Sequence, residues 1–529
     1  MANAATIAAA APAPVAPVNA ERVDPARVVA FLAMCFGMFM AFLDIQVVSA
    51  SLSEIQAGLA ASSDEITWVQ TSYLMAEVVA IPLSGFLSRA LGTRIMFATA
   101  AGGFTFASLM CGMTSTMGQM IVWRALQGFI GGGMVPTVFA SAYSIVPRSK
   151  QPIVTPLIGL VATLAPTIGP TVGGYLTDLM SWHWLFFINI GPGILVTIAA
   201  ITLIDFDQPN FSLFEHFDWV GLIFMALFLG ALEYVLEEGP RYDWFEDQTI
   251  AMAAVVSATS AVIFFARVLT ARQPIVDLRA FADRNFALGS MFSFVLGIGL
   301  YGLTYLYPIY LSQIRGFNAL MIGQTLFISG ATMFLTAPLV GRLMTRVDAR
   351  YMLAFGFAVV ALSIWQMTWL TKDWEFWQLF VPQLLRGFGM MFAIVPITNI
   401  SLGTLPPERL KNASGLFNLT RNLGGAVGLA GLNTVLDKRI DLHLARLHES
   451  ITWARQPVME ALNNFTAHMP GSNASDMALK QMFLFVRKQA TVLAFADVFL
   501  QLCLMFAGFA ALVWLMRRPP KIGASAEAH

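Results

Sequence analysis

Asp44, Glu77 and Arg124 are charged residues set in stretches of sequence apolar enough to cross a bilayer. An ionisable group at bilayer depth is expensive, and where it persists it marks a path for a proton, an ion or a substrate. Asp44 lies about eight residues from the outer end of its span, roughly 12 Å down at a 1.5 Å rise per residue. Glu77 lies near mid-depth of the next span, and Arg124 several residues below an outer link. Burial disfavours the charged form of a carboxyl group, and a nearby Arg favours it. Movement of the Arg, or arrival of a cation, then switches protonation. Two acids and one Arg at similar depths could exchange protons for a solute with no covalent step. The competing reading is static: an Asp44–Arg124 or Glu77–Arg124 pair that holds helices in register.

The elements that must position these groups are membrane helices. The chain is 57% hydrophobic and 12% charged, against roughly 25% charged in soluble domains. Its formal net charge is zero, which removes the electrostatic case for a nucleic-acid partner. Windows of about 20 apolar residues predict fourteen spans, centred near residues 40, 77, 105, 132, 165, 194, 228, 259, 298, 333, 361, 390, 424 and 503. Arg89, Arg94, Arg148, Lys150, Arg272, Arg279, Arg284, Arg346, Arg350, Arg409, Lys411, Arg517, Arg518 and Lys521 fall on one side of that topology. The rule that cytoplasmic links are basic then places both termini in the cytoplasm. The link at 205–217 lies on the same side, yet carries only Asp205, Asp207 and Glu215 as charges. The Ala/Pro-rich start lacks the basic-then-apolar order of a signal peptide and reads as a disordered cytoplasmic tail over residues 1–26.

The resulting division is an N-terminal six-helix bundle over 27–205, two inserted helices with links over 206–284, a C-terminal six-helix bundle over 285–518, and a tail over 519–529. An outer loop at 437–488 reads as charged, amphipathic helical pieces that form a cap or a docking surface. Cys35, Cys111 and Cys503 are far apart in apolar spans and read as small hydrophobes, so no metal site is expected. His183, His216, His443, His448, His468 and His529 fall in links or the tail. That scatter offers no nucleophile–base set for an enzyme. No phosphate-binding loop is present, so ATP is not the direct energy source, and no cofactor is expected.

Gln46, Gln70, Tyr73, Gln127, Asn399, Asn418 and Asn422 are polar groups within spans, which must face a cavity or another helix. Tyr301 and Tyr305 stand four residues apart on one helix face. With Arg421 they form the candidate wall of a large, adaptable pocket. Taken one at a time, each polar group is as well explained as packing glue. Arg386 and Arg421 would favour an anionic solute if they face that pocket; helix ordering explains them equally well.

Segment 82–96 (PLSGFLSRALGTRIM) recurs as 338–352 (PLVGRLMTRVDARYM), and RALQGF at 124–129 is echoed by QLLRGF at 383–388. A repeat about 256 residues apart is the mark of a transporter made of two related bundles. The segment Gly159–Gly174 (GLVATLAPTIGPTVGG) concentrates glycine and proline inside an apolar span, where only a helix satisfies the backbone. It reads as a thin, bendable packing helix.

With LDIQVVSASL at 43–52 and WVQTSYLMAEVVAIPLSGFLSRALGTR at 68–94, these segments closely resemble the fourteen-span drug:proton antiporters of the major facilitator superfamily, of the EmrB type. The resemblance implies an all-α membrane fold of two six-helix bundles plus two inserted helices. It implies proton-coupled efflux of apolar or cationic compounds across the inner membrane, with a periplasmic adaptor and an outer-membrane channel as partners if the cell has two membranes. It assigns proton coupling to Asp44 and Arg124, to which burial chemistry adds Glu77, and direction of transport to Gly159, Pro166, Gly169, Pro170, Gly173 and Gly174. Gly85, Arg89, Gly92 and Arg94 become a cytoplasmic loop gate, although Arg89 stands where the family pattern usually has Asp. The latch that this Asp would make does not carry over to this chain. Glu233 is expected outside the twelve-helix core. The alternatives are an exporter for one natural metabolite (an aromatic acid, a lipid or a siderophore) and a receptor or scaffold on a transporter fold.

Overall fold

A computed structural model of the chain describes residues 25–62, 65–145, 151–215, 217–271, 273–317, 319–452, 454–467 and 474–518. Arg148, Lys150, His216, Arg272, His468, Lys521 and most of both predicted tails lie outside the described residues, as does the side chain of Pro166.

The described residues contain seventeen α-helices: α1 (Pro25–Ala50), α2 (Leu52–Leu59), α3 (Trp68–Gly112), α4 (Met117–Gly131), α5 (Met134–Ile145), α6 (Gln151–Leu179), α7 (Trp184–Phe187), α8 (Ile190–Leu203), α9 (Trp219–Glu238), α10 (Gln248–Thr270), α11 (Arg284–Gln313), α12 (Ala319–Leu343), α13 (Ala349–Met367), α14 (Phe376–Leu402), α15 (Pro407–Ser450), α16 (Gln456–Ala467) and α17 (Ala474–Leu512). Ten helical segments among the described residues are long and apolar enough to cross a membrane. The 45-residue α3 is one of these ten but supplies two spans, because the chain turns at Gly92 (φ 77°, ψ 158°). With α4–α5, α6 and α15, the fourteen apolar runs of the sequence are all helical.

Helix starts follow from local chemistry. Asp218, Asp247, Asp283 and Asp348 each accept a backbone N–H at the head of α9, α10, α11 and α13. Glu375 and Gln378 form a reciprocal capping box at α14. An N-terminal carboxylate satisfies an orphan donor and meets the positive end of the helix dipole. Prolines inside α3, α12 and α14 are tolerated because neighbouring helices support the bent segments.

Helices of the two repeats meet along two seams. On the basic face, α15 packs against α3 and α5; toward the opposite face, α6 packs against α12. The inserted helices α9 and α10 pack on each other, and α9 also lies against α3 and α15. The described residues of segment 437–488 are mostly the continuation of α15, then α16, then the start of α17.

Candidate functional site

The deepest charge cluster is built by α1, α3, α4 and the residue that precedes α8. Arg124 Nη1 donates to Asp44 Oδ2 at 2.6 Å, and neither side chain is exposed. The other Asp44 oxygen accepts from Asn189 Nδ2 at 2.8 Å and from Gln127 Nε2 at 3.2 Å. Arg124 also donates to Gln127 Oε1 (2.8 Å) and to the Val69 carbonyl (3.0 Å), and lies over the Tyr73 ring at 4.3 Å. Asn189 donates in addition to Ser108 Oγ. A buried carboxylate and guanidinium are tolerable only when so completely bonded. One group is left over: Arg124 Nη2 is buried with no hydrogen-bond partner. Asn189, unremarked in the sequence, is a lone amide in an apolar run (FFINIGPG).

A cavity of about 430 Å³ lies beside this cluster, between the two bundles. Gln46, Gln70, Glu77, Tyr301, Tyr305 and Asn422 line it, with Pro170 of α6. Its rim includes Ser49, Ala50, Ser312 and Gln313, which are exposed at the ends of α1 and α11 farthest from the basic links. The cavity therefore opens toward the opposite face. Glu77 is 4% exposed and has no hydrogen-bond or ion-pair partner among the described residues. A side lobe is lined by Phe42, Gln46, Tyr301, Thr304 and Arg421.

Four residues expected in the cavity wall lie elsewhere. Tyr73 and Gln127 are fully buried around Arg124. Asn399 turns back to the Val395 carbonyl. Asn418 is buried, donating to the Ser414 carbonyl and accepting from Arg421. Each is held by neighbours inside the helix bundle, away from the cavity lining, which polarity alone does not reveal. The opposite correction applies to Glu233. It lines the cavity, as does Glu237, because α9 packs against the core. Asp497 pairs with His443 (2.9 Å) and Arg439 (3.4 Å), away from Arg386 and Arg421. Arg386 instead donates to Thr304 and Gln383 and lies over Tyr307.

The glycines of α6 are packing positions. A Cβ on Gly173 would come within 2.9 Å of the Val47 carbonyl on α1, and one on Gly159 within 3.1 Å of Ile394 on α14. Gly169 faces Gln46 at closer range still. This thin helix thus contacts both bundles.

The basic face is closed by a small-residue contact and an ion pair. A Cβ on Gly85 would lie 3.0 Å from both Asn412 Cα and the Lys411 carbonyl. Arg89 donates to the Gly85 carbonyl, and Arg94 is exposed. An acid from the 205–217 link, Asp207, reaches this contact. Lys411 Nζ bonds the Asp207 carboxylate and the Ser88 carbonyl, while Asp207 Oδ1 accepts from the Thr93 N–H at 2.8 Å. Gly92 allows this approach, since its extended positive-φ turn lies against Gln208 and Pro209. Ser414 adds a bond to the Pro136 carbonyl at 3.0 Å.

Residues 34–429 match the family model described as Major Facilitator Superfamily. The chain is 39% identical over 495 residues to the colistin resistance protein EmrB of Acinetobacter baumannii, covering 93% of this chain and 96% of that one. It is 29% identical over 499 residues to the multidrug export protein EmrB of Escherichia coli K12, with the same coverage, 93% and 96%. Among solved structures, the human organic anion transporter MFSD10 (TETRAN) aligns with a TM-score of 0.57 at 14% identity, over 91% of this chain and 100% of that chain. That likeness is one of fold alone.

Proposed function

This chain belongs to the Major Facilitator Superfamily, and from that premise we propose that it is a proton-coupled multidrug exporter of apolar and amphipathic compounds. The names of its relatives, multidrug export and colistin resistance proteins, support this reading. The observation that carries it is a fully buried Asp44–Arg124 pair directly behind a cavity in which Glu77 is unpartnered. Glu77 meets both the incoming proton and the solute. Arg124 links it to Asp44, since Tyr73, whose ring covers the guanidinium, lies one helical turn from Glu77. A proton on Glu77 removes a negative charge from the Arg124 surroundings, and a proton on Asp44 releases Arg124. In the present geometry the basic face is closed and the solute site is open to the opposite side. The basic links support a reading in which that closed face and both termini lie in the cytoplasm and the protein spans an inner membrane.

The long outer segment supports a partner beyond the membrane. At 1.5 Å per residue the 44-residue α15 extends about 66 Å, against a hydrocarbon core of about 30 Å. A periplasmic adaptor, leading to an outer-membrane channel, is the partner class that this projection would meet.

The test is Asp44→Asn in proteoliposomes. The variant should fold and insert, but lose dye transport driven by a pH gradient. Unchanged gradient-driven transport would remove Asp44 from the coupling machinery.

A further inference from the structure

The inserted helix α9 brings two acids into the cavity that the proton reading does not use. Its orientation is fixed from both sides. Tyr234 stacks on Trp68 of α3 with ring centroids 5.5 Å apart, and Thr71 donates to Glu238 at 3.2 Å. Just past its end, Trp244 Nε1 donates to Thr434 of α15 at 2.9 Å. With Glu238 satisfied against α3, the i, i+4 pair Glu233 and Glu237 shares the neighbouring helix face and lines the cavity. Glu233 is 7% exposed, and neither acid has a hydrogen-bond or ion-pair partner among the described residues. Glu237 is half-buried near the end of α9, but an acid left unpaired at the depth of Glu233 is costly unless a ligand or a proton completes it.

One carboxyl group, Glu77, suffices for a proton or a single cationic centre. Three carboxyl groups on one cavity exceed that need. Tyr301 and Tyr305 on α11 line the same space and offer ring faces to a cation or an apolar segment. Arg421, in the side lobe, repels positive charge from the floor and directs it toward the acids. We propose that Glu233 and Glu237 form a subsite for the second positive charge of an amphipathic amine carrying two or more charges, with Glu77 serving the first. The proposal deepens the export reading and rests on it.

The experiment uses full-length protein in proteoliposomes with an imposed pH gradient. Transport of dequalinium, a dication, is measured beside that of tetraphenylphosphonium, a monocation. In Glu233→Gln/Glu237→Gln the ratio of dication to monocation transport should fall about tenfold or more, as expected for a desolvated charge pair. The Glu233→Asp/Glu237→Asp variant should restore much of that ratio. The ratio cancels differences in folded amount, and if the double variant is not monodisperse, Glu237→Gln alone is judged by the same ratio. An unchanged ratio overturns the proposal, as does a wild-type protein that moves only the monocation. A wild-type protein that moves neither cation but still moves the dye of the Asp44 test overturns the proposal alone, and one that moves neither cation nor dye overturns the export reading itself.

Discussion

The Lys411–Asp207 contact should set how firmly the basic face stays closed. It joins the start of α15 to the link after α8, and through the Thr93 N–H and the Ser88 carbonyl it grips the turn at Gly92. The two side chains are 19% and 26% exposed, so the pair is partly shielded but still wet. A fully exposed pair contributes up to about 1 kcal/mol, and a charge-assisted hydrogen bond about 1.5–3 kcal/mol. The partly exposed pair therefore falls at roughly 1–2 kcal/mol, which is a factor of about 5–30 in the ratio of closed to open states. Asp207→Asn keeps an oxygen for Thr93 and removes only the charge; Lys411→Met removes the partner. Spin labels at Ile95 and Arg409, both exposed on the basic face, report the separation of the two bundles. Both variants should shift the distance distribution toward longer values by that factor. The double variant should show no further shift, because one interaction has been lost. Unchanged distributions in both single variants would refute the latch, and additive shifts would show that the two residues act separately.

Gly92→Ala should lower thermal stability in detergent by about 1–3 kcal/mol, because φ 77° with ψ 158° is a region that essentially only glycine occupies; an unchanged melting temperature would show that the turn relaxes freely. Gly85→Leu should favour the open basic face, since its side chain would strike the Asn412 and Lys411 backbone, and the same spin-label pair reads the change. Burial raises the Asp348 carboxyl, but hydrogen bonds from Arg350 and the charges of Arg350 and Arg518 outweigh it and hold the group below its ordinary value. Its stabilising contribution is therefore complete above the unfolded value of about 3.9 and is lost as pH falls through the lower folded value. The stability gap between wild type and Asp348→Asn should narrow over that range, and a gap constant with pH would contradict the assignment.

The membrane fold was legible because apolar runs of the right length leave the backbone no choice but helix. Asp44 and Arg124 stood out for the same reason: charge in such a run is conspicuous. Their pairing was legible only as one of two options, since depth does not say which helix faces meet. The acids of α9 carried a visible signal, an i, i+4 pair inside an apolar segment. The family resemblance directed attention away from it by placing the inserted helices outside the core. Tyr73 shows the converse limit, because its face on α3 is turned toward Arg124 by the close approach of Gly128 to the Tyr73 carbonyl. Asp207 was read only as a weak exception to a charge rule. Its role depends on a partner 204 residues away, which no local pattern announces.

The two halves repeat a backbone plan but not its electrostatics. Gly128 of α4 approaches the Tyr73 carbonyl, and Gly387 of α14 approaches the Ser329 carbonyl in the same way. Beside the first glycine, Arg124 meets a carboxylate; beside the second, Arg386 meets the Thr304 hydroxyl, the Gln383 amide and the Tyr307 ring. A buried guanidinium held only by neutral partners keeps its charge through the cycle, because Arg is not deprotonated in proteins. A guanidinium held by Asp44 has a partner that a proton can neutralise. Protonation therefore changes the balance of forces in the first bundle while the second stays fixed. In the proposed mechanism, that asymmetry gives the proton a lever on the seam between the bundles. It also predicts that Thr304→Asp, which would give Arg386 a carboxylate and place a further acid at the cavity and its side lobe, should make the second half respond to pH and alter the pH profile of transport. A profile identical to wild type would mean that the second half does not sense its own charge balance.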